Sequence, residues 1–167
     1  MSDAPPLWPH LSGVMKDGAH VLPVRVYYED TDFSARVYHA SYLRFLERGR
    51  TELLRAVEVA QSSLHARMGG LAFVARRMTI DFRGGAVMDD VLTVVTRPKD
   101  MRGASMILAQ EVRRGDEVLV AAVFELLRRV RPLGALNPFA DRNGSANHRV
   151  VYFAEALATR IAMERLF

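Results

Sequence analysis

The stretch VYYEDTDFSARVYHASYLRFLERGR, residues 26–50, sets three acids, Glu29, Asp30 and Asp32, in a short loop between a strand-like and a helix-like segment. An aspartate in such a loop can be a turn or cap residue, accepting hydrogen bonds from nearby backbone N–H groups. It can also be a reagent. The first N–H groups of a helix have no intrahelical partner and carry partial positive charge, so they can stabilise a developing oxyanion. A carboxylate beside them can attack a carbonyl carbon directly or activate a water for the attack. Loop and helix terminus would then supply both halves of an acyl-transfer site. Asp32 is the candidate, because it lies between the strand and a helix beginning near His39; Glu29 is assigned by its alternation to the strand.

Other chemistry finds little support in the residues. His39, preceded by Tyr38, is placed to act as a base, yet a lone histidine at a helix start is more often structural. His10, His20, His65 and His148 are scattered, with no H-E-x-x-H spacing. There is no G-x-S-x-G elbow, G-x-G-x-x-G or P-loop, so neither a serine hydrolase of that type nor a metal or nucleotide cofactor is expected. The chain has no cysteine, which excludes disulfides, thiolate metal sites and a cysteine nucleophile. A second candidate is KDMRGAS, 99–105, read as a basic, glycine-containing link between strands. It is either an ordinary turn or a phosphate contact through Arg102 and the backbone near Gly103.

The elements that must position these groups follow from periodicity. VLPVRVYY alternates Val24, Val26 and Tyr28 against Arg25, Tyr27 and Glu29, as a strand does. Residues 39–56 switch to helical spacing: Tyr42, Phe45, Leu46, Leu53 and Leu54 share a stripe, opposite Arg44, Glu47, Arg48, Glu52 and Arg55. Gly49 lies by the stripe and costs about 1 kcal/mol against alanine, which implies close packing on a broad surface. Strands are expected over Leu71–Phe82, Asp90–Arg97, Ser105–Arg113 and Glu117–Arg131, with RRGDE at 113–117 as a hairpin turn. No helix separates them, so the sheet of about five strands should be antiparallel and the class α+β. VLVAAVFELL is apolar on both faces, which points to a second buried face against another subunit.

The 167 residues suit one domain. Residues 1–20 read as a leader, 21–132 as the domain, 133–148 as a linker rich in Gly, Pro, Asn and Ser, and 149–167 as a tail with helical spacing. Apolar runs such as Val118–Phe124 are too short to span a bilayer, and MSDAPPLWPH does not read as a signal peptide, so the cytoplasm is expected. The net charge is +4, and the 23 basic residues are all arginine except Lys16 and Lys99. They are spread along the chain without an aromatic–basic module, so a nucleic-acid partner is not expected.

VRVYYEDTD, then VYHASYLRFLERGRTELLR, FVARRMTIDF and MRGAS, together resemble the Tol–Pal-associated acyl-CoA thioesterases of the 4-hydroxybenzoyl-CoA thioesterase family, which are hotdog-fold proteins. The resemblance covers about Val21 to Pro132. It implies a long central helix wrapped by a curved antiparallel sheet, pairing into homodimers or homotetramers with sites at the subunit interface. It implies hydrolysis of acyl-CoA, with coenzyme A as part of the substrate and no cofactor. By the family's D-x-D motif the catalytic carboxylate is Asp32, and the N–H that polarises the thioester carbonyl is that of His39. Tyr38 would shape the acyl pocket, while Arg102, Gly103 and Ser105 would meet the coenzyme A phosphates. Many relatives follow the aspartate with a glycine-containing stretch where this chain has Phe33-Ser34-Ala35-Arg36, so Phe33 is expected to narrow the pocket. Acyl carrier protein is an alternative donor, and a binding adaptor for acyl carriers is the alternative function.

Overall fold

The computed structural model describes residues 11–57, 71–102 and 105–130. In chain order these form strands β1 (Val14–Lys16) and β2 (Ala19–Arg25), a short 3-10 turn (Tyr28–Asp30) and helix α1 (His39–Ala56). Four long strands follow: β3 (Leu71–Phe82), β4 (Val91–Arg102), β5 (Ser105–Arg114) and β6 (Glu117–Val130). All pair antiparallel in one sheet ordered β1-β2-β4-β5-β6-β3. The class is α+β, one helix against an antiparallel sheet, as the periodicity indicates. The sheet has six strands rather than five.

The sixth strand is β1, which lies with the start of β2 in the stretch read as leader. Three residues are too few to show a period, and the turn between them depends on Asp17 and Gly18, both at positive φ. Two other boundaries differ. The strand read through Tyr28 ends at Arg25, and Glu29 falls in the 3-10 turn. β4 runs on to Arg102, so most of KDMRGAS is strand. A register shift between Pro98 and Asp100 accommodates the proline, which has no N–H for the ladder. The linker and tail lie outside the described residues.

Helix α1 lies across β2, β4 and β5. Its buried stripe is Tyr42, Phe45, Leu46, Gly49, Leu53 and Leu54, as the spacing predicts. Opposite stand Leu22 and Val24 of β2, Leu92 and Val94 of β4, and Leu108 and Val112 of β5, with Phe124 and Leu126 of β6 closing the core. Each fully buried side chain of this kind contributes about 1.5–3 kcal/mol relative to exposure. β6 alternates as a half-buried strand, with Val120, Ala122, Phe124 and Leu126 buried and Val123 exposed.

At its middle the helix comes unusually close to the sheet. A Cβ on Gly49 would stand 2.7 Å from Val94 Cγ1, 3.0 Å from Thr96 Oγ1 and 3.2 Å from Gln110 Nε2. The gap is bridged by polar atoms. Gln110 Nε2 donates to the Leu46 carbonyl (2.9 Å) and to Thr96 Oγ1 (2.8 Å), while its Oε1 accepts from Arg50 Nη1 (2.9 Å). The Arg50 guanidinium lies 3.9 Å from the centre of the Phe124 ring. These bonds lock the groups a larger side chain would have to displace. Gly49→Val is therefore expected to lower stability by about 1–3 kcal/mol through overpacking, read as an earlier urea midpoint. An unchanged midpoint would contradict this close seat of the helix.

Candidate active site

After Arg25 the chain leaves the sheet, held by Val26 N–H to the Asp90 carbonyl (2.9 Å) and Asp89 N–H to the Val26 carbonyl (3.1 Å). The 3-10 turn then buries Asp30, whose Oδ2 accepts the Tyr27 N–H at 3.0 Å. The Asp30 carbonyl accepts the Tyr38 N–H (2.9 Å) and the Ser41 hydroxyl (3.0 Å). Ser41 in turn accepts from Arg44 Nη2 (2.8 Å), which stands 3.6 Å from Asp30 Oδ1. One buried residue thus ties the strand exit to the first turn of α1. The two acids of the D-x-D pair divide the work: Asp30 is structural.

Between these ties the chain doubles back. Thr31 bridges Val37, Asp32 N–H donates to the Arg36 carbonyl (2.9 Å), and Ala35 N–H donates to the Asp32 carbonyl (2.9 Å). Ala35 holds φ 58°, a left-handed conformation that glycine adopts without the clash alanine meets. A platform supports the loop from below. Val37 N–H donates to the Ala86 carbonyl (2.9 Å), and Ala86 N–H donates to the buried Tyr42 phenol oxygen (2.8 Å). Burial raises the pKa of that phenol, and it remains a neutral acceptor.

This arrangement sets Asp32 beside the start of α1 with its side chain exposed. Its Oδ1 accepts the Ser34 hydroxyl at 2.5 Å and the Ser34 N–H at 2.8 Å. The hydroxyl first, then the N–H, hold the Asp32 carboxyl below the usual carboxylate range, with a smaller attraction from the His39 imidazole. Asp32 is therefore an anion at neutral pH.

The helix that follows begins without the usual dressing. Its N-cap is Tyr38, with no side-chain cap hydrogen bond, and its first turn has no acid. The Ser41 N–H bonds to the Tyr38 carbonyl (2.8 Å), while the His39 N–H has no partner among the described residues. The Tyr38 ring is half exposed and lies 4.3 Å from the His39 ring; Phe82, from the end of β3, meets His39 edge-on at 6.3 Å.

The sequence-derived candidates thus separate into two groups. Asp32, Tyr38 and His39 come together. Arg102 and Ser105 are close to each other, the Ser105 hydroxyl donating to the Arg102 carbonyl at 3.0 Å, but they lie far from Asp32. β4 starts beside the Val26–Asp90 tie and runs away for 12 residues, about 35 Å at the usual strand rise. The Arg102 guanidinium is exposed and paired to Asp100 Oδ2 at 2.7 Å. Gly103 lies outside the described residues. Phe33 does not narrow anything within one protomer: its side chain is fully exposed. Sequence reasoning missed Ser34 and Phe82. The D-x-S spacing of an aspartate turn was a visible signal for Ser34, whereas nothing local marked Phe82. Among the described residues no group of three or more His, Asp or Glu is placed to hold a metal ion.

One long helix laid on a six-stranded antiparallel sheet is the architecture of a hotdog fold. Residues 35–121, just over half of the chain, match the model of the thioesterase superfamily, and the chain belongs to that family. The matched segment begins three residues after Asp32. Among curated relatives, the acyl-CoA thioester hydrolase YbgC of Escherichia coli O6:H1 is 43% identical over 111 residues, covering 66% of this chain and 81% of the relative. The acyl-CoA thioesterase YbgC of Haemophilus influenzae is 40% identical over 126 residues, covering 75% of this chain and 90% of the relative. The crystal structure of a probable thioesterase from Bartonella henselae superposes with a TM-score of 0.64 at 38% identity, covering 68% of this chain and 99% of that one.

The division between the two aspartates can be measured. Asp30→Ala removes a buried carboxylate that accepts the Tyr27 N–H at 3.0 Å and stands 3.6 Å from Arg44 Nη2, and should cost about 1–3 kcal/mol of stability. Asp32→Ala, at an exposed position whose side-chain bonds stay within its own loop, should lose clearly less. Urea unfolding of the two variants checks this, and equal losses would refute the assignment of Asp30 as the structural acid.

Proposed function

We propose that this chain hydrolyses acyl-CoA thioesters to the free acid and coenzyme A, with Asp32 as nucleophile or general base. The observation that carries the reading is an exposed, ionised carboxylate placed beside an uncapped helix N-terminus. The thioester carbonyl accepts a hydrogen bond from the His39 N–H, at the positive end of α1. Either Asp32 adds to the carbonyl carbon, or it takes a proton from water as the water adds. The tetrahedral intermediate then collapses and expels the coenzyme A thiolate. In the first route the resulting acyl–aspartyl anhydride is hydrolysed in a second step. No cofactor is needed in this reading, since carboxylate, N–H and water supply every group. The relatives' names agree with an acyl-CoA substrate.

Several features favour a homodimer or homotetramer as the working form. β3 is an edge strand with Val74, Met78 and Phe82 exposed, a surface that single chains usually keep short, charged or covered. Tyr27, Tyr28, Phe33 and Tyr38 are likewise exposed around the loop. A second copy closing over them would complete an acyl pocket in which Tyr38 and Phe33 bound the chain. Arg102, Gly103 and Ser105 would reach the coenzyme A phosphates only from such a copy, given the length of β4. No helix among the described residues is long and apolar enough to cross a membrane, and we place the enzyme in the cytoplasm, where coenzyme A thioesters are made. An acyl group presented on acyl carrier protein would meet the same carboxylate, and a role beside the Tol–Pal system is compatible with this chemistry.

Two substitutions test the mechanism. Asp32→Asn keeps the shape and removes both routes, so kcat should fall by roughly 100-fold or more across short, long and aromatic acyl-CoA substrates. A folded Asp32→Asn protein with near-full activity would sink the proposal. A folded wild type that binds acyl carriers but hydrolyses nothing would favour the adaptor instead. His39→Pro removes the N–H along with the imidazole, and the backbone accepts it because proline is well suited to the first helical position and Tyr38 already holds an extended ψ of 134°. It should lower kcat by roughly 100- to 1,000-fold, as loss of an oxyanion donor does, while His39→Ala stays close to wild type. If His39→Ala is as damaged as His39→Pro, the imidazole and not the N–H is the working group.

A further inference from the structure

We propose that Ser34 is a positioning residue for the Asp32 carboxylate, holding Oδ1 through its hydroxyl and its N–H so that Oδ2 is the oxygen that reacts. The inference rests on the catalytic reading of Asp32 and goes beyond it by assigning the two oxygens different tasks.

An exposed aspartate has little to fix its carboxylate plane, since the terminal torsion is broad and nearly two-fold. Either oxygen would then face the substrate at random, and the group would be solvated on both sides. In this loop the chain returns over its own side chain. The Ser34 hydroxyl and N–H converge on Oδ1 at 2.5 Å and 2.8 Å, and no donor among the described residues meets Oδ2. The N–H bond alone is an ordinary aspartate turn. The hydroxyl is an addition that only serine or threonine can supply from this position.

The backbone is bent to make it possible: Ala35 sits at φ 58°, and the loop is closed by Asp32 N–H to the Arg36 carbonyl. The hydroxyl places a second donor on the same carboxylate oxygen. The arrangement has a cost. Donors on Oδ1 make the carboxylate a weaker base, consistent with its position below the usual range. What is gained is orientation, which counts when a reacting atom must approach within about 3–3.5 Å on a defined line.

The sign of the pH effect follows. The working form is the carboxylate, so activity is lost as pH falls through the Asp32 pKa in the free enzyme, which kcat/KM reports. Removing the hydroxyl raises that pKa, and the acid limb moves to higher pH.

The test measures kcat and KM against pH for the full-length wild type, Ser34→Ala, Ser34→Thr, Asp32→Asn and the double variant Asp32→Asn/Ser34→Ala, using one acyl-CoA that wild type turns over well. Ser34→Ala should show the acid limb of kcat/KM shifted upward and kcat reduced roughly 3- to 10-fold with KM within about 2-fold. Ser34→Thr should restore both. In the double variant, removing the hydroxyl should bring no further loss beyond Asp32→Asn, because the serine acts only through that carboxylate. A Ser34→Ala profile superimposable on wild type, while Asp32→Asn is dead, overturns the positioning role and leaves the catalytic reading of Asp32 standing. A raised KM with unchanged kcat, or a further loss in the double variant, also overturns it by assigning Ser34 to substrate or to loop folding. Full activity of Asp32→Asn removes both readings together.

Discussion

One carbonyl oxygen holds the site in register: that of Asp30, which accepts the Tyr38 N–H at 2.9 Å and the Ser41 hydroxyl at 3.0 Å. A helix N-terminus normally satisfies its free N–H groups with its own cap residue. Here the anchoring is done from behind, through residues flanking the first helical position. The His39 N–H is left without a partner among the described residues. This anchoring leaves the first helical N–H open to a substrate carbonyl. The burial of Asp30 makes this alternative anchor firm, because breaking it would strand polar groups away from water.

The rest of the fold keeps that terminus still. α1 is seated on the sheet at Gly49, where the Gln110 amide joins the Leu46 carbonyl to Thr96 and Arg50 lies over Phe124. Nearer the site, Tyr42 reaches from the buried face of the helix to the Ala86 N–H, and Ala86 holds Val37. The loop carrying Asp32 is therefore referenced to the same helix that presents the N–H. A displacement of α1 would carry both halves of the site together. This is how the carboxylate proposed to react can sit on an exposed loop and still keep its geometry, in line with the general need for a rigid scaffold beneath functional loops.

Much of this was legible in the sequence, and the exceptions have physical reasons. The stripe of Tyr42, Phe45, Leu46, Leu53 and Leu54 shows the helix and its buried face because one 18-residue element repeats its period several times. The tight seat of Gly49 was readable from the cost of a glycine in a helix. Asp32 stood out because a strand, a short loop and a helix start bracket it. The strand β1 was not legible, since three residues carry no period and its pairing with β2 is a property of the turn at Asp17–Gly18. Asp30 and Asp32 look alike in the sequence; only burial separates the structural acid from the exposed one. Arg102 and Ser105 were joined to Asp32 by the family resemblance, which implies an assembly, whereas the single chain places them at the other end of β4. Ser34 was overlooked because a serine two residues after an aspartate is common in turns, and its meaning depends on which aspartate it holds.

If the first N–H of α1 receives the substrate carbonyl beside Asp32, the His39 amide must respond to a bound substrate analogue. The amide resonance of His39 can be followed in ¹⁵N-labelled Asp32→Asn protein, titrated with a non-hydrolysable acyl-CoA analogue in which a ketone replaces the thioester. The His39 amide proton should shift downfield, saturating with the analogue, by an amount large compared with the shifts of Arg44 and Glu47 farther along the helix. A saturated complex in which the His39 amide does not move, while resonances elsewhere do, would contradict the site described for α1 and Asp32.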